Sequence, residues 1–273
     1  MSARLTAFRE LHTKAEPLKL PNAWDAGSAR VFESLGATAI ATTSAGVAWA
    51  QGYGDGRQMP RDVAFAAAMS MRRVVEVPLT VDIEHGYSDD PKDVAEFVVR
   101  LADSGVDGIN LEDGPDEPTK LAKKIEAIKS ALSNRGLDIF VNARTDVFLA
   151  ALVDPPKMVE ETLSRGTTYR SAGADGLFVP ALSGQDQIIA IVKGAALPLN
   201  VMAVPKLADA KRLGSLGVKR VSAGSGIAGD LGDRVESGQM VLGRRQLGRS
   251  DKCDGLRRSP GAVRLRRRLA VQA

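Results

Sequence analysis

The sequence predicts an α/β fold, a (β/α)8 TIM barrel, and three observations carry that expectation. Short, continuous apolar strands alternate with amphipathic helices from Leu18 onward, and strands buried on both faces belong to a parallel sheet covered by helices. Eight such units fit into about 225 residues, which suits a closed barrel better than an open doubly wound sheet. The joints repeat as well. Ser104-Gly105-Val106-Asp107-Gly108, Ala172-Gly173-Ala174-Asp175-Gly176 and Leu216-Gly217-Val218-Lys219 each set a glycine at a helix C-terminus just before a strand.

Taken in order, residues 1–17 read as a leading helix with Leu5, Phe8, Leu11 and His12 on one face. Strands are expected at 19–23, 38–43, 78–83, 107–112, 138–143, 174–179, 198–203 and 218–223. Helices are expected at 26–35, 60–75, 91–104, 117–134, 156–172, 184–194 and 206–216. Pro91 after Asp90, and Pro155-Pro156 after Asp154, are helix-start signals. From Gly229 the pattern decays into Gly- and Arg-rich sequence with few large apolar residues. The expected division is therefore a barrel domain over 1–228 and an irregular, disordered or non-native tail over 229–273. The eighth unit has no evident amphipathic helix after Ile227, so it exposes apolar surface or borrows cover from a partner subunit. The tail itself resembles a segment read out of frame from GC-rich codons; resequencing that finds one uninterrupted frame shared by related genes removes this reading. A basic arm against nucleic acid is the weaker alternative, since a basic run without interleaved aromatics is usually only solvated.

Composition narrows the function classes. Hydrophobic residues make up 44% and charged residues 26%, ordinary for a soluble globular chain. Aromatics are only 4%, so the core rests on Ala, Val, Leu and Ile. The single cysteine, Cys253, excludes an internal disulfide and a multi-cysteine zinc site. No basic segment followed by an apolar one opens the chain, and no apolar run approaches the roughly 18 residues of a membrane helix. A cytoplasmic protein with no membrane partner is expected. The net charge of +4 conceals an uneven distribution: Arg244 to Arg268 holds ten Lys or Arg and two Asp, so the remainder is −4. No nucleic-acid binding is expected of that body.

The chemistry gathers at predicted strand ends. Val81-Asp82-Ile83-Glu84-His85-Gly86-Tyr87 places two carboxylates one residue apart, and alternation along a strand puts Asp82 and Glu84 on one face. Ile109-Asn110-Leu111-Glu112-Asp113-Gly114 ends in a further acid, and Phe140-Val141-Asn142-Ala143-Arg144-Thr145-Asp146 brings a guanidinium. Ser44-Ala45-Gly46 follows the strand at 38–43, and Gly52-Tyr53-Gly54-Asp55-Gly56 lies in the next loop. In a barrel these ends converge on one face. Magnesium takes oxygen ligands and keeps several waters, so Asp82 suits direct coordination while Asp55, Glu84 and Glu112 hold its waters. One such acid alone is more often a helix N-cap or loop residue; four at neighbouring strand ends favour a metal site. Arg144 suits either a bidentate clamp on a substrate carboxylate or an ion pair with Glu112 or Asp146, and both can hold together. Ser44 with the Ala45 and Gly46 amides suits a carboxylate cradle. His85 beside a glycine reads as a hydrogen-bonded loop residue rather than an acid or base.

These segments, with Leu20-Pro21-Asn22-Ala23-Trp24-Asp25-Ala26-Gly27-Ser28-Ala29, follow one another in order from residue 20 to about 225. Together they resemble the isocitrate lyase and phosphoenolpyruvate mutase superfamily. The resemblance implies a Mg²⁺-dependent barrel enzyme, with Mn²⁺ as a substitute, acting on a 2-oxo acid through an enolate-like intermediate held by the metal. It implies Asp82 as direct ligand and Asp55, Glu84 and Glu112 as holders of metal waters. It further implies Ser44, Ala45, Gly46 and Arg144 as substrate-binding residues, with Arg144, Asp55 and Glu112 as the catalytic set. Family members are homo-oligomers that swap a C-terminal helix, so a dimer or tetramer is expected. Three departures qualify the match. Lyases of this family carry Lys-(Lys/Arg)-Cys-Gly-His after the fourth strand, where this chain has Asp113-Gly114-Pro115-Asp116-Glu117-Pro118. Mutases carry a longer gating loop there, and Pro180 stands where the lyases offer a glutamate. The metal and enolate half of the site remains, which suits decarboxylation or retro-aldol cleavage of a small 2-oxo acid such as oxaloacetate. Phosphoenolpyruvate mutase or phosphonopyruvate hydrolase chemistry is the alternative, and a non-catalytic 2-oxo acid-binding barrel is the second.

Overall fold

The computed structural model describes residues 2–205 and 207–228, all within the compact unit Met1–Asp233. The expectations for 229–273 lie outside the described residues. In chain order the elements are α1 (Ala3–Leu11), β1 (Leu18–Leu20), β2 (Asn22–Ala23), α2 (Ala26–Ser34), β3 (Ile40–Thr42), α3 (Ser44–Ala50) and α4 (Arg61–Arg72). There follow β4 (Leu79–Asp82), α5 (Pro91–Asp103), β5 (Gly108–Glu112), α6 (Pro118–Ser133) and β6 (Phe140–Arg144). The chain continues with α7 (Met158–Ser171), β7 (Gly176–Val179), α8 (Gln185–Ala195), β8 (Leu199–Met202), α9 (Ala210–Ser215) and β9 (Arg220–Ser222).

All nine strands run parallel in one sheet, ordered β1-β9-β8-β7-β6-β5-β4-β3-β2. The single strand expected at 19–23 is divided at Pro21, which has no N–H for the ladder. Its first half pairs with β9, Leu18 opposite Arg220, and its second half with β3, Asn22 opposite Ala41. The two ends of the sheet therefore meet in one segment, and the ring all but closes. The expected α/β barrel is what forms.

The helix ends follow the sequence signals. Asp90 caps α5 by accepting from the Lys92 amide, with Pro91 at the first helical position. Pro155–Lys157 forms a 3₁₀ turn leading into α7. Gly105, Gly173 and Gly217 follow their helices with φ of +87°, +104° and +93°, values a side chain resists. Two elements differ from expectation. The segment at 44–50, where no helix is expected, is the short helix α3, and the helix expected at 206–216 shortens to α9, capped by Asp209 on the Arg212 amide.

Two layers fill the barrel interior beneath the strand ends. At the base, Leu5 and Phe8 of α1 pack with Leu18, Leu20, Ala39, Ala41 and Phe140. His12 stacks on Phe140 with ring centroids 4.3 Å apart and its Nδ1 lies 2.8 Å from the Phe8 carbonyl. Burial, and then the Arg220 charge, lower its pKa to about 4. Above this plug lies an amide layer. Asn142 donates to Asn110 Oδ1 at 2.9 Å and Asn200 Oδ1 at 3.0 Å, and the fully buried Arg220 donates to Asn110 Oδ1 at 3.1 Å. This layer is the floor on which the strand-end residues stand.

Candidate active site

The strand ends open into a cavity of about 220 Å³ whose wall includes Ser44, Ala45, Asp55, Asp82, Asn110 and Arg144. A wider groove of about 570 Å³ lies elsewhere, lined by Leu11, Pro17, Phe32, Leu35 and Ile227 among others, and carries none of the strand-end acids. The chemistry belongs to the smaller cavity.

Asp82 is the last residue of β4, opposite Asn110 of β5. Its amide donates to Thr42 Oγ1 at 2.8 Å and its Oδ1 accepts from the Glu84 amide at 3.0 Å. Burial pushes its carboxyl pKa up, while Arg144 and the Asn110 amide pull it down. Glu84 corrects the strand-alternation argument. The strand stops at Asp82, and Glu84 adopts φ +50°, so a turn rather than the pleat directs its carboxylate, and neither Glu84 nor Glu112 is among the residues lining the cavity. Glu84 is 3% exposed. Glu84 Oε2 accepts from the Arg57 amide at 2.7 Å, tying down the loop that carries Asp55, while Oε1 is buried without a partner among the described residues. Burial pushes its pKa up too.

At the next strand pair the register itself brings two side chains together. Glu112 and Arg144 are register partners at the ends of β5 and β6, and their side chains meet at 2.7 Å. The guanidinium also grips Asp146 with two bonds, Nε to Oδ1 at 2.7 Å and Nη2 to Oδ2 at 3.1 Å. Both ion pairs considered for Arg144 are formed, and it still faces the cavity. Burial opposes its charge, but Glu112 and Asp146 outweigh burial and raise its pKa. Burial pushes Glu112 up to about 8; Arg144 opposes this, and the nearby Asp82 and Asp146 add to it. Ser44 and Ala45 open α3 at the cavity wall. Gly46 sits one step behind, where a Cβ would come within 2.6 Å of Thr43 Cγ2 and 3.1 Å of Trp24 Cβ, so its glycine serves the seating of α3.

With this geometry in view, the comparisons with known proteins decide the family. The family model described as phosphoenolpyruvate phosphomutase matches residues 8–237. The chain belongs to the phosphoenolpyruvate phosphomutase family. An uncharacterized Mycobacterium tuberculosis protein is 40% identical over 226 residues, 80% of this chain and 82% of that relative. An oxaloacetate decarboxylase of Pseudomonas fluorescens is 29% identical over 240 residues, 82% of this chain and 80% of the relative. A Burkholderia cenocepacia crystal structure described as a candidate phosphonomutase superposes with TM-score 0.82 at 39% identity, covering 86% of this chain and 98% of that one. Membership makes this chain an enzyme of lyase and mutase type.

In this phosphoenolpyruvate phosphomutase family member, Asp113 holds the site from behind, a role that the sequence alone does not assign it. Its Oδ1 accepts from the Asp146 amide at 2.9 Å, and its Oδ2 from Arg165 at 2.9 Å and the Tyr169 hydroxyl at 2.6 Å. It thereby locks the Arg144–Asp146 segment to α7. Its position directly after Glu112 was the only available signal. His85 matches its reading as a loop residue through its backbone: its carbonyl accepts from Lys124 Nζ at 2.8 Å. The ring differs, since Nδ1 is buried without a partner among the described residues. Burial, then the Arg57 and Lys124 charges, lower its pKa to about 4.

Among the described residues no three Asp, Glu, His or Cys side chains are grouped tightly enough to form a dedicated metal cage. The donor set does fit an ion that keeps its waters. Asp82 and Asp55 face one cavity, Glu84 offers an unpaired oxygen, and burial holds Asp82, Glu84 and Glu112 above the usual carboxylate range. Hard-cation sites use one or two carboxylates in this way.

Proposed function

We propose that this family member is a Mg²⁺-dependent carbon–carbon lyase that cleaves a small 2-oxo carboxylic acid such as oxaloacetate, by decarboxylation or a retro-aldol step. The observation that carries the reading is that Asp82, Asp55 and Arg144 line one small cavity. In this reading Asp82 holds the ion directly, and Asp55, Glu84 and Glu112 hold its waters. Bound there, Mg²⁺, or Mn²⁺ in its place, supplies a Lewis acid that polarises the substrate's 2-oxo group. The chain's own groups do the rest. Ser44 and the amides of Ala45 and Gly46 receive the substrate carboxylate. Arg144, oriented from two sides by Glu112 and Asp146, presents fixed positive charge where negative charge develops on the oxo oxygen. Leu149, Phe178, Pro180 and Met202 line the same cavity and limit water there. The segment after Glu112 supplies no Cys or His to protonate a leaving group, and leaving CO₂ needs none.

The likeness to the candidate phosphonomutase favours one second reading, chemistry on phosphonopyruvate. Incubation with oxaloacetate, phosphonopyruvate and methylisocitrate, each with Mg²⁺ or EDTA, separates the readings when pyruvate and its co-products are followed. The lyase reading expects pyruvate and CO₂ from oxaloacetate with Mg²⁺ only. Turnover of phosphonopyruvate alone moves the assignment to the second reading. Retained binding without turnover of any substrate leaves a non-catalytic barrel.

A further inference from the structure

The turn after β4 concentrates unfavourable features. Glu84 and Tyr87 have φ of +50° and +60°, and Gly86 between them +96°. Strained backbone of this kind persists only where its surroundings over-determine it, and it gathers at functional sites. Three of the ten buried side-chain polar atoms without a partner among the described residues fall here: Glu84 Oε1, His85 Nδ1 and Tyr87 Oη. The turn is nonetheless firmly held. The Gly86 amide donates to the Ile83 carbonyl at 2.8 Å, and Lys124 Nζ donates to the His85 carbonyl at 2.8 Å. The Tyr87 ring stands edge-to-face on Phe97, centroids 5.8 Å apart.

Packing therefore fixes the ring, while the hydroxyl gains no partner among the described residues. Burial pushes the pKa of this hydroxyl up, and the carboxylates of Glu84, Asp82, Glu112 and Asp55 push it the same way. These are the four acids assigned above to the ion and its waters. Tyr87 Oη and Glu84 Oε1 do not bond each other, and a water between two such groups satisfies both. A phenol can accept as well as donate. We propose that Tyr87 is a positioning residue of the metal site, its Oη and Glu84 Oε1 together holding one water of the ion's hydration shell. This rests on the reading that Asp82 carries a divalent ion.

Mn²⁺ titration followed by electron paramagnetic resonance tests it, alongside thermal melting of the metal-free protein. Tyr87→Phe keeps the ring on Phe97 and removes only the hydroxyl. Outer-shell partners typically contribute 10- to 100-fold in metal affinity, so the Mn²⁺ Kd should rise about 10-fold or more while the metal-free Tm does not fall. Glu84→Gln should weaken Mn²⁺ binding as well, and the double variant should lose less than the product of the two single losses, because one water is shared. Unchanged Mn²⁺ affinity in Tyr87→Phe, beside a wild type that binds, overturns the assignment, as do fully multiplicative losses. A wild type that binds no Mn²⁺ overturns the underlying metal reading as well.

Discussion

Asp82 is where the account is most exposed at the scale of single residues. Asp82→Asn is expected to abolish divalent-ion binding in isothermal titration while leaving the circular dichroism spectrum and cooperative melting intact; retained affinity contradicts its assignment as ligand. Arg144→Lys keeps a charge but loses the two-bond grip on Asp146, and a lysine cannot reproduce that fork. Loss of one such oriented donor costs about 10²-fold in kcat, which steady-state assays on the substrate found above will read. Asp82, Glu112 and Arg144 were legible in the sequence because each ends an apolar strand, and barrel topology brings such ends together. Glu84 is set by a left-handed turn that strand alternation does not foresee, since Gly86 marks a turn but not the positive φ of Glu84. Asp113 was illegible because Arg165 and Tyr169, which hold it, lie 52 and 56 residues along the chain.

Among the elements, α1 and α3 carry the clearest consequences. Phe8 is fully buried at the barrel base, and truncating such an aromatic to alanine costs about 3–5 kcal/mol. Urea unfolding of Phe8→Ala should show that loss; a change under about 1 kcal/mol would mean that α1 is no plug. His12 gives the same helix a pH dependence. Its pKa falls from 6.5 when unfolded to about 4 when folded, so on acidification the unfolded chain takes the proton first. The stability due to the neutral ring is full above 6.5 and drains away as pH falls towards 4. His12→Gln should flatten the Tm profile across that window, and an unaltered slope contradicts the assignment. The α1 face was readable from the spacing of Leu5, Phe8 and His12. The helix α3 was not, because seven residues rich in Ala and Gly give too short a period to separate from a loop.

For the molecule as a whole, closure of the ring was predictable from the count of apolar strands, whereas the break at Pro21 that lets one segment serve both sheet ends was not. The groove of about 570 Å³ lined by Leu11, Pro17, Phe32, Leu35 and Ile227 is apolar surface that the described residues leave open. We propose that association covers it: sedimentation equilibrium of the full chain should give a dimer or tetramer, and a monomer at all concentrations contradicts this. The central claim concerns a divalent ion at the strand ends, and crystals grown with Mn²⁺ test it most directly by anomalous scattering. The account predicts a single strong peak about 2.1 Å from an Asp82 carboxylate oxygen, with Asp55, Glu84 and Glu112 reached through waters. A peak away from Asp82, or none at saturating Mn²⁺, would contradict it.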